Sequence, residues 1–329
     1  MKAINLFSLF LCLILISCST ESEADYNFSD QQEFTPEPLY RNIDSPVMKL
    51  KNPASGKKQS KDTYVALAMA EYITSTESGQ IGNTIYFNNR GNKKLSFDFV
   101  PFLSEDGTPD ISYYVDNSRP SKDLDVNVTN AAIDRAMNTW DELTCSDLGI
   151  YEYVPEEIVS TGYITKLLFD LGYTTTDFGG SYEYFGDVVH SGWLPAEFFD
   201  IPIIFGSEGG SDSVIGVTFT INYTDEFGIP IDLDNNGKSD VAWREIYYND
   251  NFIWNDGSTF DVESIALHEA GHGLSQAHFG KLFQTNSNEK FHFSPRAVMN
   301  AGYVGGAYTD IQRTDEAGHC SNWASWSKR

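Results

Sequence analysis

The chain has 329 residues, of which 41% are hydrophobic and 14% aromatic, so it can bury a sizeable core as one large domain or two small ones. Its formal net charge is −25 at pH 7, which excludes nucleic acid as a natural partner because the phosphate backbone would be repelled. Acidity also favours bound cations, although a solvated acidic surface is the commoner explanation.

The N-terminus predicts export and a lipid anchor. Lys2 precedes a short apolar run over 4–16, which is typical of a secretory signal and too short for a membrane span. The end of the run, Leu15-Ile16-Ser17-Cys18, resembles the bacterial lipobox, which implies cleavage before Cys18 and a lipid on its thiol. The alternative is an ordinary signal peptide cut nearby. We therefore expect residues 1–18 to be a lipoprotein signal, with the protein anchored by lipid in a bacterial envelope, at the outer membrane.

Two stretches separate this signal from the larger part of the chain. Residues 19–62 are polar with scattered apolar positions, which predicts a flexible tether. Residues 63–109 predict a strand-rich extension, with a strand or short helix over 63–74 and strands over 84–88 and 95–102. This extension could be a subdomain, a prosegment or part of a larger sheet.

From residue 110 onward, strand and helix patterns follow one another. Strands are predicted over 111–116, 151–154, 186–190, 214–220 and 241–249, and helices over 127–143 and 261–275. The apolar residues of the stretch 160–185 show no clear helical or strand periodicity. The order predicts an α+β fold, with its helices packed against a sheet.

An acidic loop lies between the last two predicted strands. Residues 232–240 match the first nine positions of a calcium-binding loop, but the twelfth position is Trp243 instead of a bidentate Glu. The pattern predicts calcium bound by one carbonyl and four side chains: the Lys238 carbonyl, Asp232, Asp234, Asn236 and Asp240. The alternative is an Asx-rich turn without a metal.

Three of the six histidines fall within one stretch of eleven residues. His268 and His272 are four apart, so on a helix both rings project from one face, and His278 follows once the chain turns back. Three such ligands and a water are the usual set of a catalytic zinc. Glu269 lies beside that water site, where a carboxylate can act as a general base.

These residues resemble the zinc signature of the metzincin metallopeptidases, and their surroundings resemble the matrixin branch of that family. Met299 and Tyr303 match the second fingerprint of that branch, the Met-turn, whereas Ala301 replaces its Pro. Ser275 stands where the family has a Gly in a left-handed turn.

The resemblance implies a metzincin fold over 110–329: a twisted, mixed five-stranded sheet, an active-site helix, a Met-turn and a C-terminal helix. It implies that Met299 lies beneath the zinc ligands, that Tyr303 lines a substrate pocket and that Asp315 braces the Met-turn. It also implies that Val217 and Thr218 lie in an exposed edge strand that pairs with an extended substrate.

The cysteines predict one disulfide. If Cys12 leaves with the signal and Cys18 carries lipid, only Cys145 and Cys320 remain in an oxidising compartment. The alternative is two reduced thiols. The chain has no Cys between 18 and 145, so the cysteine-based latency switch of many matrixins is absent.

The sequence thus predicts a zinc endopeptidase that acts on peptides or proteins, with Glu269 as general base. One alternative is a lipid-anchored binding or adhesion protein that keeps the zinc scaffold without turnover. Another is a zinc hydrolase of non-protein amides or esters. The sequence carries no signal for an oligomeric state.

Overall fold

The structure is a computed structural model that describes residues 31–34, 36–43, 47–50, 64–88, 97–103, 107–156, 159–183, 185–285 and 291–326. The predicted signal and its Cys18 lie outside these ranges. Among the helices that are described, none combines the length and apolar character needed to span a bilayer.

The described residues form sixteen strands and six helices. In chain order they are β1 (Gln31–Phe34), β2 (Leu39–Arg41), β3 (Met48–Lys49), β4 (Tyr64–Ser75), β5 (Asn83–Phe87), β6 (Phe97–Asp98), β7 (Ile111–Val115), α1 (Val126–Asp141), β8 (Ile150–Glu152), α2 (Tyr163–Asp170), β9 (Val188–Leu194), α3 (Ala196–Phe199), α4 (Pro202–Phe205), β10 (Val214–Thr224), β11 (Ser239–Asn249), β12 (Trp254–Asn255), β13 (Phe260–Asp261), α5 (Val262–Gly273), β14 (Lys281–Thr285), β15 (Phe291–Ser294), β16 (Gly302–Tyr303) and α6 (Arg313–Trp323).

One mixed sheet organises the molecule. Its main path runs β2-β5-β4-β10-β11-β9-β7-β8, and β3, β6 and β16 attach to it, which gives eleven described strands instead of the predicted five. Strands β11, β9, β7 and β8 are parallel to one another, whereas β10 is antiparallel to both of its neighbours. The fold is therefore α+β with a mixed sheet, as predicted. The sheet also includes strands that precede residue 110, which the prediction placed outside it.

Strand β10 corrects one expectation. It was predicted to be an exposed edge, but β4 pairs with it along its whole length, from Thr224 opposite Tyr64 to Val214 opposite Thr74. The physical reason is that 64–75 is a long apolar strand whose side chains are nearly all buried, so it extends the sheet. The possibility of a short helix in this stretch is also wrong.

Side chains on the two faces of the sheet form two cores. Neighbouring residues alternate between them, so Tyr113 and Val188 face α1, α5 and α6, while Tyr114 and Val189 face α2, α3 and α4. Helix α1 begins at its cap Asp125, whose carboxylate accepts from the Asn127 amide. Helix α5 is covered on all sides, as expected for a helix that carries a buried site.

Two other parts of the chain differ from the sequence prediction. Helix α2 lies in the stretch that showed no period, and its apolar side chains enter the second core. Strands β1, β2 and β3 lie in the predicted tether and pair with β14, β5 and β4. Ile43 is buried there, so scattered apolar residues of this stretch do contribute to the core.

Candidate metal centre

Helix α5 places two histidines on one buried face. Its cap Asp261 accepts the Ser264 amide at 2.9 Å and fixes the start of the helix. His268 and His272 follow one turn apart, are almost fully buried, and bring their Nε2 atoms to 3.1 Å from each other. The predicted helix and the predicted pairing of the two rings are both present.

The end of α5 returns the chain so that a third histidine joins them. Ser275 has a φ of 69°, so it adopts the left-handed conformation expected at this position despite its side chain. Buried Arg244 holds the turn, because its Nη1 donates to the Gly273 carbonyl at 2.8 Å and to Ser275 Oγ at 2.9 Å. As a result, His278 Nε2 lies 3.2 Å from His272 Nε2.

The other ring nitrogens set the orientation of the two helix histidines. His268 Nδ1 donates to the Val298 carbonyl and His272 Nδ1 to the Gln276 carbonyl, both at 2.7 Å. A proton on Nδ1 leaves Nε2 with a free lone pair, which is the usual arrangement of a metal-binding imidazole. Burial lowers the pKa of His268 and of His278 well below the ordinary value, which favours the neutral, ligating form.

Two of the nitrogen separations in the triad are close to those of tetrahedral coordination. Zinc–nitrogen bonds of about 2.0–2.1 Å at tetrahedral angles place ligand nitrogens about 3.3 Å apart. The observed separations of 3.1 and 3.2 Å are close to this value. The three histidines therefore form a group that could bind a metal ion.

Glu269 lies next to the triad with one oxygen held and one available. The Thr218 hydroxyl donates to Oε2 at 2.6 Å, whereas Oε1 has no hydrogen-bond partner among the described residues. Burial raises the pKa of Glu269 to about 7, against the lowering effect of His272 and Thr218. Gly216 allows this approach, since a Cβ there would lie 2.9 Å from Glu269 Oε1.

Met299 packs against Gly271, which lies between the two helix histidines in the sequence. Its sulfur would be 2.3 Å from a Cβ on Gly271, so the glycine between the two helix histidines is what lets the Met-turn approach. Asp315 accepts the amides of Val298 and Met299 at 2.9 and 3.0 Å. This confirms the predicted brace, and the braced Val298 carbonyl is the one that orients His268.

Tyr303 lies at the wall of a cavity of about 300 Å³ beside His268. Its hydroxyl donates to the Gly306 carbonyl at 2.6 Å and accepts the Asp261 amide at 3.2 Å. The tyrosine is thus anchored to the start of α5 while its ring faces the cavity. This placement agrees with a pocket wall.

Val217 and Thr218 do not offer a free strand edge, because their partners in β4 are Tyr72 and Glu71. Thr218 acts here through its side chain, which holds Glu269. The prediction of an open substrate-binding edge at these residues is therefore wrong for this chain, because the N-terminal extension covers it.

Strand β4 adds two residues that the sequence prediction missed. Glu71 Oε2 lies 3.3 Å from His272 Nδ1, and Ile73 lines the cavity beside Tyr303. Burial alone would raise the pKa of Glu71, but His272, His278 and Arg244 hold it below the ordinary value. The sequence signal for Glu71 was a single carboxylate within a largely apolar stretch.

The acidic loop brings together three of its predicted residues. Carboxylate oxygens of Asp232, Asp234 and Asp240 lie within 4.8 Å of one another. The side-chain amide of Asn236 instead donates to Asp98 of β6 at 3.1 Å. Asp98 was not among the predicted residues of this loop.

Two further contacts complete this loop. The Lys238 ammonium pairs with Asp98 at 3.2 Å. Asp240 is fully buried, and its Oδ1 lacks a hydrogen-bond partner within the described part of the chain. Burial and the neighbouring aspartates raise the pKa of Asp240 to about 8.

The predicted cysteine pair and two further histidines lie away from the triad. Cys145 and Cys320 form a disulfide with Cα atoms 5.7 Å apart, as predicted. His190 is a buried core residue whose Nδ1 contacts the Tyr248 hydroxyl at 2.8 Å. His319 stacks on Trp140 with ring centroids 5.7 Å apart.

Comparison with protein families and with curated proteins adds no relative. No protein-family model matches the chain, and a search of curated proteins finds no match. The functional assignment therefore rests on the chemistry of the site.

Proposed function

We propose that this protein is a zinc-dependent endopeptidase of the metzincin type, with His268, His272 and His278 as the zinc ligands. The observation that carries the proposal is the convergence of three histidine side chains, with two Nε2–Nε2 separations close to tetrahedral spacing, beside a buried carboxylate with one unpartnered oxygen. The Met-turn braced by Asp315 supports the same assignment.

When bound, zinc supplies a Lewis acid that polarises a carbonyl and makes a water molecule more acidic. The chain itself supplies the proton transfer. Glu269 Oε1 takes one proton from the attacking water while the water oxygen bonds to the carbonyl carbon. Oε1 then returns that proton to the amine nitrogen as the carbon–nitrogen bond breaks. Thr218 holds Oε2 at 2.6 Å, which restricts rotation of the carboxylate and leaves Oε1 for the proton transfer.

The environment of Glu269 suits this exchange. Burial raises its pKa to about 7 when no metal is counted, so the two protonation states lie close in free energy. A nearby cation would favour the carboxylate, which is the form that accepts the proton. The cavity lined by Tyr303 would take one side chain of the substrate next to the reacting bond.

We further propose calcium at the acidic loop, with Asp98 added to the predicted ligands. The buried Asp240 carboxylate and its unpartnered Oδ1 support a cation there, because an unpaired buried charge is costly. A lipid anchor on Cys18 in the bacterial envelope remains part of the proposal from the sequence.

The proposal is tested by metal content and turnover measured together on the chain without residues 1–18. Zinc should be bound, a denatured generic protein should be cleaved, and Glu269→Gln should keep the zinc while losing the cleavage. Assays of small amide and ester substrates in parallel separate a peptidase from a hydrolase of non-protein amides. Cleavage of those substrates alone would replace the peptidase assignment.

A further inference from the structure

The cavity beside His268 combines apolar walls with a positive charge. Its walls are formed mainly by aliphatic and aromatic side chains, namely Ile73, Phe291, Phe293, Val298 and Tyr303. Arg296 also lines the cavity and is exposed to solvent. Among the lining residues that the structure describes, none is a carboxylate. A side chain bound here would therefore have apolar groups along its length and a guanidinium within its reach.

Helix α5 sets the distance between the metal triad and this guanidinium. His268 and Ser264 both line the cavity, and they lie one turn apart on the helix, about 6 Å along its axis. The Tyr308 amide donates to the Ser264 hydroxyl at 2.6 Å. The Arg296 guanidinium lies over the Tyr308 ring, 4.4 Å from its centroid. Arg296 is therefore held near the Ser264 end of the cavity, about one helical turn from the triad.

The guanidinium of Arg296 keeps its hydrogen-bond donors for a ligand. Other polar side chains of the lining are already bound, since the Ser264 hydroxyl donates to Asp261 and the Asn300 amide donates to main-chain carbonyls. By contrast, Arg296 makes no hydrogen bond or ion pair with a residue that the structure describes. Its contact with the Tyr308 ring orients the guanidinium plane and leaves the N–H groups at its edge free.

We propose that this cavity selects a glutamate side chain of the peptide substrate and that Arg296 binds the glutamate carboxylate. The inference rests on the proposed peptidase function and names its substrate class, a peptide with a glutamate next to the bond that is cut. The methylenes of the glutamate lie against the apolar walls, and its carboxylate reaches the guanidinium. Aspartate is one methylene shorter and glutamine carries no charge, so both bind less tightly.

The charge of the rest of the molecule makes this preference a local property. The net charge of −25 repels acidic peptides at long range, so without Arg296 a glutamine would be favoured over a glutamate. Salt screens this long-range repulsion more strongly than it screens two groups in contact. The preference for glutamate over glutamine should therefore persist at an ionic strength of about 0.15 M.

The test uses the zinc-loaded chain without residues 1–18, with Glu269→Gln to prevent cleavage. Fluorescence anisotropy measures the binding of labelled peptides rich in glycine and alanine that differ only in one central residue, which is Glu, Gln, Asp, Leu or Lys. The small neighbouring residues leave the central side chain as the one that can fill the cavity. We expect the Glu peptide to bind most tightly of all, and about tenfold more tightly than the Gln peptide, because a charge-assisted hydrogen bond is stronger than a neutral one.

Variants of Arg296 test the assignment to this residue. Arg296→Gln should bring the affinities for the Glu and Gln peptides to within about twofold of each other, because the charge is gone. Arg296→Glu should reverse the preference, so that the Lys peptide binds more tightly than the Glu peptide. Arg313→Gln is the matched control, since Arg313 is exposed at the start of α6 and does not line the cavity, and it should leave the preference unchanged.

The outcomes separate this inference from the proposed function. Equal affinity for the Glu and Gln peptides, tighter binding of the Leu peptide, or a glutamate preference that persists in Arg296→Gln would overturn the inference, as would failure of all five peptides to bind. Cleavage of a denatured protein by the Glu269 form at bonds without an adjacent glutamate would also overturn it while leaving the peptidase function in place. Glutamate-selective binding that Arg296→Gln removes, without any cleavage by the Glu269 form, would instead support the glutamate site and refute the peptidase.

Discussion

Gly271 is the residue at which helix propensity and the Met-turn make opposite predictions. Alanine in place of glycine within a helix ordinarily stabilises a protein by about 0.8–1 kcal/mol. At this position the new methyl group would lie 2.3 Å from Met299 Sδ, and overpacking of a buried site costs about 1–3 kcal/mol. The packing cost exceeds the propensity gain, so we expect Gly271→Ala to lower the free energy of unfolding by about 1 kcal/mol.

A double-mutant cycle isolates the cause. In a Met299→Ala background the sulfur is absent, so Gly271→Ala should become neutral or stabilising, with a coupling of about 2 kcal/mol between the two sites. Denaturant unfolding of the four proteins gives the coupling, and zinc affinity gives a second readout, because a displaced Met-turn moves the carbonyl that orients His268. Stabilisation by Gly271→Ala with Met299 in place would refute the assignment of Met299 to the floor of the site.

Three further predictions concern other parts of the fold. Replacing Cys145 and Cys320 by Ser should lower stability by up to about 5 kcal/mol, because the disulfide closes a loop with a sequence separation of 175, and unchanged denaturant unfolding would contradict this. Burial lowers the pKa of His319 to about 4, against about 6.5 in the unfolded chain. As pH falls from about 6.5 to about 4, the unfolded chain therefore binds a proton at this residue that the folded chain does not, and the free energy of unfolding falls. His319→Phe keeps the stacking on Trp140 and removes the titrating group. The drop in the free energy of unfolding between pH 7 and pH 5, measured by denaturant unfolding, should therefore be about 2 kcal/mol smaller in the variant than in its parent. Asp240→Asn should stabilise the calcium-free protein and abolish the rise in melting temperature on adding calcium, and a rise that persists in the variant would place the cation elsewhere.

The parts of the site that could be predicted are those encoded locally. The spacing of His268, His272 and His278 predicts that the first two rings share one helix face and that the third joins them after a turn. The left-handed conformation of Ser275 follows from the need to end the helix there. The contact of Asp315 with the Met-turn was also expected. Each of these depends on a short segment and on a resemblance carried by that segment.

What the sequence did not predict depends on pairing between distant segments. Nothing within 64–75 indicates that this strand lies beside β10, because an apolar strand can pair with any free edge. The contact of Glu71 with His272 and the contribution of Asp98 to the acidic loop follow only once those pairings are made. Helix α2 was missed because its apolar positions form a short pattern within a longer stretch rich in Tyr, Thr and Gly.

The most direct test of the central claim compares Glu269 with Glu269→Gln in the chain without residues 1–18, with zinc content and cleavage of a denatured protein measured on the same samples. The account predicts about one zinc per chain in both proteins and a loss of cleavage of about 10² to 10⁴-fold in the variant, the range of a positioned acid–base group. Absence of zinc from both proteins, or equal cleavage by both, would contradict it.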